Sequence, residues 1–402
     1  MKKLKVLYQG WGEEWLLGVL ADTGKTILFE YSAEAIARGL QLSPILHPLP
    51  RAGAAVVAFR GHPAFHDLPG FIADSLPDGW GLLLMDRALR RAGRNPQQVS
   101  VLERLAIVGN RAMGALRFEP AEEDALPDAV LSLRMLADEV AQVQNDESAI
   151  SSERLRQLMR LGGSPQGARP KVLVNVDAAP WLVKFPATNE HAEVSAIEEL
   201  YARLARAGGI DMPPSRFFDL GDGRTAFGVQ RFDRVANQQR VPILSLSGLL
   251  QADFRLPSLD YASLLLATAR ITGNQQEVHK AFSRCVFNVL MHNRDDHARN
   301  FAFSMNAQGR WTLSPAFDLT YSYGAGGEHS TSVAGYGKNI TRAHLLQVAK
   351  QGGVDKKTAE NTIAHWLNQV QNFRIHVGDL PIRQTTLQEL MQVTRSIWEV
   401  MA

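Results

Sequence analysis

At 402 residues the chain exceeds the roughly 250 to 300 residues at which a single hydrophobic core stops growing, so two or three cores are expected. Hydrophobic residues at 45% and charged residues at 21% exclude disorder, and a formal net charge of +2 provides no protein-wide field arguing for nucleic acid or an anionic membrane surface. The single cysteine, Cys285, excludes an internal disulfide and a thiolate metal site, and points to a reducing, cytoplasmic compartment. The N-terminal Met1-Lys2-Lys3-Leu4-Lys5 leads into an alternating run without the apolar segment of a signal peptide, and no stretch suggests a membrane span.

Residues 4 to 60 read as β-rich. Leu4, Val6 and Tyr8 alternate, Trp15 to Ala21 and Thr26 to Tyr31 form two further apolar runs, and Asp22-Thr23-Gly24-Lys25 joins those two as a hairpin. Gly24-Lys25-Thr26 is not a phosphate loop, because the glycine required five residues earlier is Val19. Asp74 to Gly81 is turn-rich, Leu82 to Arg91 and Val101 to Ile107 read as helices, and Ala115 to Phe118 as a strand. The acidic, two-proline run from Glu119 to Asp128 is the candidate domain boundary, followed by a helical stretch to about Asn145.

Leu161-Gly162-Gly163-Ser164-Pro165-Gln166-Gly167-Ala168-Arg169-Pro170-Lys171 reads as a glycine-rich hairpin between strands, whose backbone amides and cations suit phosphate oxygens. A flexible turn is the plainer reading of that run taken alone. Lys184, inside the apolar Trp181 to Phe185 strand, is costly to bury unless it meets an anion. The helix Ala192 to Ala207 carries Glu193, Glu198 and Glu199, of which Glu198 is the favoured ion-pair partner of Lys184, as a helix glutamate is in protein kinases. Phe227 to Asp233 reads as a central strand, and the apolar Val241 to Leu250 as a connection whose backbone would meet adenine. Val278, Phe282, Val286, Val289 and Leu290 follow the helical period and deliver His292 to the surface of a core.

Every residue from His292 to His297 is polar, between an apolar helix and an apolar strand. Asp295 and Asn300 stand at the spacing of the catalytic Asp and metal-binding Asn in the kinase signature HRDxxxxN, and Arg294 supplies the residue before the Asp. Two short strands, Phe301 to Ser304 and Trp311 to Leu313, return the chain to Asp318. Asn300 and Asp318 offer hard oxygens suited to magnesium, and Asp295 is placed to orient or deprotonate a hydroxyl. The rival reading, a metal-dependent hydrolase, uses His292, Asp296 and His297 as ligands, although adjacent Asp296 and His297 suit one metal poorly.

In their order along the chain these motifs resemble the HipA family of bacterial serine/threonine kinases: the Leu76-Pro77-Asp78 segment, the glycine-rich loop, Lys184, Asn293 to Asn300, and Pro315-Ala316-Phe317-Asp318. The resemblance implies Asp295 as catalytic base, Asn300 and Asp318 as magnesium ligands, and Lys184 as the phosphate-binding lysine. It also implies Gln166, Gly167, Ala168, Arg169, Pro170 and Lys171 as the nucleotide loop, His297 beside the phosphates, and Leu249 to Gln251 at adenine. Ser164 matches the serine that family members autophosphorylate, while Pro165 and Arg169-Pro170 depart from the family's loop. The expected fold is α+β: a β-rich subdomain (1–120), an N-lobe with the nucleotide loop (121–250) and a helical C-lobe (251–402). The expected function is phosphoryl transfer from ATP, with Mg2+, to a protein hydroxyl by the toxin of a toxin-antitoxin pair. Expected partners are a protein substrate such as an aminoacyl-tRNA synthetase and a DNA-binding antitoxin, with DNA met only through the latter. A catalytically silent kinase-fold scaffold is the alternative of a different class.

Overall fold

The computed structural model describes residues 1–51, 59–121, 132–145 and 150–402. Most of the boundary expected over Glu119 to Asp128 lies outside them. The chain divides into two compact units, the first comprising 1–195 and 216–244, the second 196–215 and 245–402.

In the first unit, β1 (Lys3–Gly10), β2 (Glu13–Asp22), β3 (Ile27–Tyr31), α1 (Ala33–Arg38), β4 (Phe59–Arg60), α2 (Gly70–Ala73), α3 (Gly79–Arg91), α4 (Val101–Val108) and β5 (Leu116–Glu119) follow in order. The five strands form one sheet, β4-β3-β2-β1-β5. Leu4, Val6 and Tyr8 bury one face of β1, as the alternation predicts. The β2–β3 turn closes on local bonds from Thr23 N to Thr26 O and from Gly24 N to Asp22 Oδ1, the chemistry of a plain hairpin. Next come α5 (Leu133–Asn145), α6 (Ser152–Gly162), β6 (Lys171–Val176) and β7 (Ala179–Lys184). After α7 (Val194–Ala207), β8 (Ser215–Gly221) and β9 (Arg224–Gln230) complete a second sheet, β6-β7-β9-β8.

The glycine-rich loop is not a hairpin between strands, as the sequence suggested, but the link from α6 to β6. Ser151 caps α6, and Leu155, Leu158 and Met159 bury one face at helical spacing, so the chain enters the loop from a fixed helix end.

The run Arg231-Phe232-Asp233-Arg234 ends β9 in a buried ion cluster. Asp233 accepts from Arg231 Nε and Nη2 at 2.8 and 2.7 Å, from Arg234 Nη1 at 2.7 Å and from Gly114 N at 2.9 Å. Arg240 donates to Gly114 O, Ala112 O and Gln9 Oε1, tying β1 and the approach to β5 into the same cluster. Burial opposes the charge of Asp233, yet the arginines beside it hold its carboxyl below the usual range.

The second unit is mainly helical, with α8 (Leu246–Leu250), α9 (Tyr261–Thr272), α10 (Gln275–Leu290), α11 (Arg342–Gln351), α12 (Lys356–Gln371) and α13 (Gln384–Met401). Its small sheet, β10-β11-β12, is formed by β10 (Ile243–Ser245), β11 (Ala302–Met305) and β12 (Trp311–Leu313). Trp366 of α12 and Phe287 of α10 meet edge to face with centroids 5.1 Å apart, anchoring the helix that leads to His292. Cys285 is buried and free. Among the described residues no helix is long and apolar enough to cross a membrane.

Candidate active site

In the first unit, the turn-rich segment after Ala73 holds the glycine-rich loop. The Asp78 carboxylate accepts from Gly167 N, Gln166 Nε2 donates to Asp74 O at 2.8 Å, and Trp80 N donates to Gly167 O at 3.1 Å. The docking needs bare backbone. A Cβ on Gly79, itself at φ 43°, would lie 2.5 Å from Gly167 O, and one on Gly81 would lie 2.8 Å from Gly163 O. Arg169 forms a two-pronged pair with Glu190 at 3.0 and 2.6 Å, and Pro170 O accepts from Phe185 N. The Ser164 hydroxyl is buried without a hydrogen-bond partner.

β6 and β7 pair antiparallel with Lys171 directly opposite Lys184. The two side chains are only 4% and 6% exposed. Like charges facing each other across a ladder are destabilising. Lys171 Nζ is partly compensated by Gln166 O at 2.6 Å, and Lys184 Nζ lies 5.7 Å from the Phe227 ring centroid. A buried lysine pair at the end of a glycine-rich loop is chemically suited to phosphate.

In the second unit, α10 ends at Met291, whose carbonyl accepts from Tyr201 Oη at 2.6 Å, and His292 turns the chain at φ 54°. His292 stacks on Tyr321 with centroids 5.1 Å apart, and its Nδ1 lies 3.1 Å from Ser322 O. Burial lowers its pKa to about 4, so the ring is neutral near pH 7. A parallel bridge between Asn293 and Ser322 lays the segment after Asp318 alongside the polar run.

The two adjacent carboxylates have opposite environments. Asp296 is 1% exposed and accepts from Tyr261 Oη at 2.6 Å, Ser330 N at 2.8 Å and Thr331 N at 3.3 Å, with His329 Nδ1 at 2.7 Å. Asn288 extends this network to both Tyr261 Oη and Asn293. The Asp295 side chain is 54% exposed, with His297 Nε2 3.8 Å from its Oδ1. Asn300 Nδ2 donates to Asp295 O at 2.6 Å, a bond that leaves the amide oxygen, the atom suited to a hard cation, outside it. Asp318 follows β12 with a left-handed φ of 56°, a conformation that Asp tolerates better than most residues. Ahead of it, Ser314 O accepts from buried Arg284, and Ala316 N donates to Asp211 O at 2.7 Å.

The hydrolase reading fails on these bonds, because the oxygens of Asp296 are committed to Tyr261, His329 and backbone amides while His292 is held in a ring stack. Among the described residues no group of three or more His, Cys, Asp or Glu side chains is arranged to hold a metal. Glu199 pairs with Arg203 at 2.9 Å and accepts from Ser215 at 2.6 Å, and Glu198 is buried next to it in α7 of the second unit. Leu249 is buried within α8, and Gln251 ends that helix at φ 48°. The sequence marked Leu76-Pro77-Asp78 as a motif but not the task of Asp74 and Asp78 in holding the loop, and the partners Tyr261, His329 and Thr331 were not singled out.

These features define an α+β protein of two units, with a glycine-rich, lysine-backed loop in one and an exposed Asp beside an Asn in the other. The HipA N-terminal domain family matches residues 8–119, the HipA-like C-terminal domain family matches residues 163–373, and the chain belongs to the HipA family. It is 26% identical over 289 residues to the Sinorhizobium fredii protein named "Putative kinase Y4dM", covering 66% of this chain and 65% of that protein's length. It superposes with a TM-score of 0.69 on HipA of the Shewanella oneidensis MR-1 toxin-antitoxin system, solved with HipB and operator DNA. That match has 17% identity and covers 98% of this chain and 96% of the other, a likeness of fold.

Proposed function

We propose that this HipA-family protein is an ATP-dependent serine/threonine-protein kinase, the toxin of a toxin-antitoxin pair. The observation that carries the reading is the exposure of Asp295 next to a fully committed Asp296, with His297 and Asn300 held against it. Asp295 would orient the acceptor hydroxyl and take its proton, and rigid support from Asp296 keeps that carboxylate in register. The chemistry of the donor set fits the expected groups: Asn300 and Asp318 offer hard oxygens for Mg2+, which when bound would neutralise charge on phosphate oxygens. In the first unit, Lys171 and Lys184, buried and facing each other across the β6–β7 ladder, would offer their ammonium groups to the phosphates of ATP. Gln166, Gly167, Ala168, Arg169 and Pro170 would supply the loop around those phosphates, His297 would stand beside them, Glu198 would support Lys184, and Leu249 to Gln251 would meet adenine.

Calorimetric titration with MgATP tests this directly. Wild type is expected to bind, and Lys184→Met to bind at least about tenfold more weakly, the order of one lost charged contact. Equal binding by both would remove Lys184 from the site. Autophosphorylation of Ser164 is part of the same proposal. Because the hydroxyl is buried, the loop must leave its Asp74 and Asp78 supports before the oxygen is reached, and a phosphate of charge about −1.5 to −2 there would repel those of ATP. Mass spectrometry after incubation with MgATP is expected to find phosphate within residues 161–171, and its absence there rejects this part. By likeness to the HipA–HipB–operator assembly, the partners proposed are a DNA-binding antitoxin, a protein substrate such as an aminoacyl-tRNA synthetase, and DNA only through the antitoxin.

A further inference from the structure

Three cationic or ionisable side chains converge on one aromatic ring beside the candidate base. The Arg299 guanidinium carbon lies 3.8 Å from the centroid of Phe254 and that of Arg255 lies 4.6 Å from it. The His297 ring sits 5.6 Å away, tilted by 57°. Phe254 is not a core residue. It stands half-buried on the loop after α8, followed by exposed Arg255 and Leu256. That loop is anchored at its start, where Ser247 Oγ donates to Ala252 O at 2.7 Å and Ala252 N donates to Ser247 O at 3.1 Å. Its far side is tied to the polar run through His297, which in turn stands 3.8 Å from Asp295.

An arginine side chain has many rotamers to lose when it is ordered, and an aromatic face attracts a guanidinium through its quadrupole. Stacking on Phe254 therefore orders Arg299 before any ligand arrives, and preorganised cations are the ones that stabilise charge developing in a transition state. We infer that Phe254 is a positioning residue for phosphoryl transfer: its ring aims Arg299 at the phosphoryl group in transit. The inference rests on the kinase reading and adds to it the loop 252–255, which no motif singles out.

The test uses the full chain, MgATP labelled at the γ-phosphate, and the variants Phe254→Leu, Phe254→Tyr, Arg299→Met and the double Phe254→Leu/Arg299→Met. Leucine keeps apolar bulk and removes the ring face, whereas tyrosine keeps the face. Phe254→Leu is expected to lower kcat/KM for label transfer about tenfold, mainly in kcat, while Phe254→Tyr stays within about threefold of wild type. The double variant is expected to be within about twofold of Arg299→Met alone, because both substitutions break one contact. Leu256→Ala, 62% exposed on the same loop, should leave transfer unchanged. Wild-type rates in Phe254→Leu, or strictly additive losses in the double variant, overturn the inference. Failure of wild type to transfer label strikes the kinase reading instead, and the cycle is then read on the MgATP dissociation constant. There Phe254→Leu should add nothing to the loss caused by Arg299→Met, and an additive result rejects the positioning role.

Discussion

The run that ends β9 and the run that follows α10 look alike as text, Arg231-Phe232-Asp233-Arg234 against Asn293-Arg294-Asp295-Asp296, yet the fold treats them differently. In the first, the acidic group is buried and answered by arginines, so the cluster serves to join strands. In the second, one carboxylate is buried among Tyr261, His329 and backbone amides while its neighbour is turned to solvent. Charge density alone does not mark a site. The feature on which the proposed site rests is instead a carboxylate left exposed beside a network that fixes its neighbour.

The comparison predicts a hierarchy of stability effects. Asp233→Ala should be the most damaging, about 3 to 5 kcal/mol in urea unfolding, since it strands Arg231, Arg234 and Arg240 inside the protein. A loss below about 1 kcal/mol would reduce the cluster to a surface pair. Tyr261→Phe should cost about 1 to 3 kcal/mol by removing the hydroxyl between Asp296 and Asn288. Asp295→Ala should change stability by less than about 0.5 kcal/mol, as expected of an exposed side chain.

Acid provides a further test. His47 and His292 are kept neutral by burial, each lowered to about 4. Unfolded histidine titrates near 6.5, so between roughly pH 6.5 and 4 the unfolded chain binds more protons and stability falls as pH falls. Asp233, with its folded value depressed, contributes stability above the unfolded aspartate value of about 3.9 and loses it only in stronger acid. Thermal unfolding followed from pH 7 to 4 should show a declining midpoint in wild type and a shallower decline in His47→Gln. Parallel curves would contradict the assignment.

Much of this was legible in the sequence, and the gaps have physical causes. The alternation of β1 and the apolar stripe of α10 were plain because each element presents one face to a core. β8 was silent, since as the edge strand of its sheet it buries no regular face. The facing of Lys171 and Lys184 depends on the register of a hairpin whose turn residues, Asp177 and Ala178, adopt φ of 50° and 62° without a glycine to announce it. Spacing to Asn300 separated Asp295 from Asp296 in the sequence, but how Asp296 is held was beyond reach because its partners, Tyr261 and His329, lie 35 and 33 residues away.

The central claim is that Asp295 acts on the acceptor while Asp296 only holds the loop. Transfer of label from γ-labelled ATP, measured beside thermal unfolding for wild type, Asp295→Asn and Asp296→Asn, tests it most directly. The account predicts that Asp295→Asn unfolds at the wild-type temperature and transfers at least about a hundredfold more slowly, whereas Asp296→Asn loses thermal stability. An Asp295→Asn protein that transfers label at the wild-type rate, with a fully stable Asp296→Asn protein that does not, would contradict it.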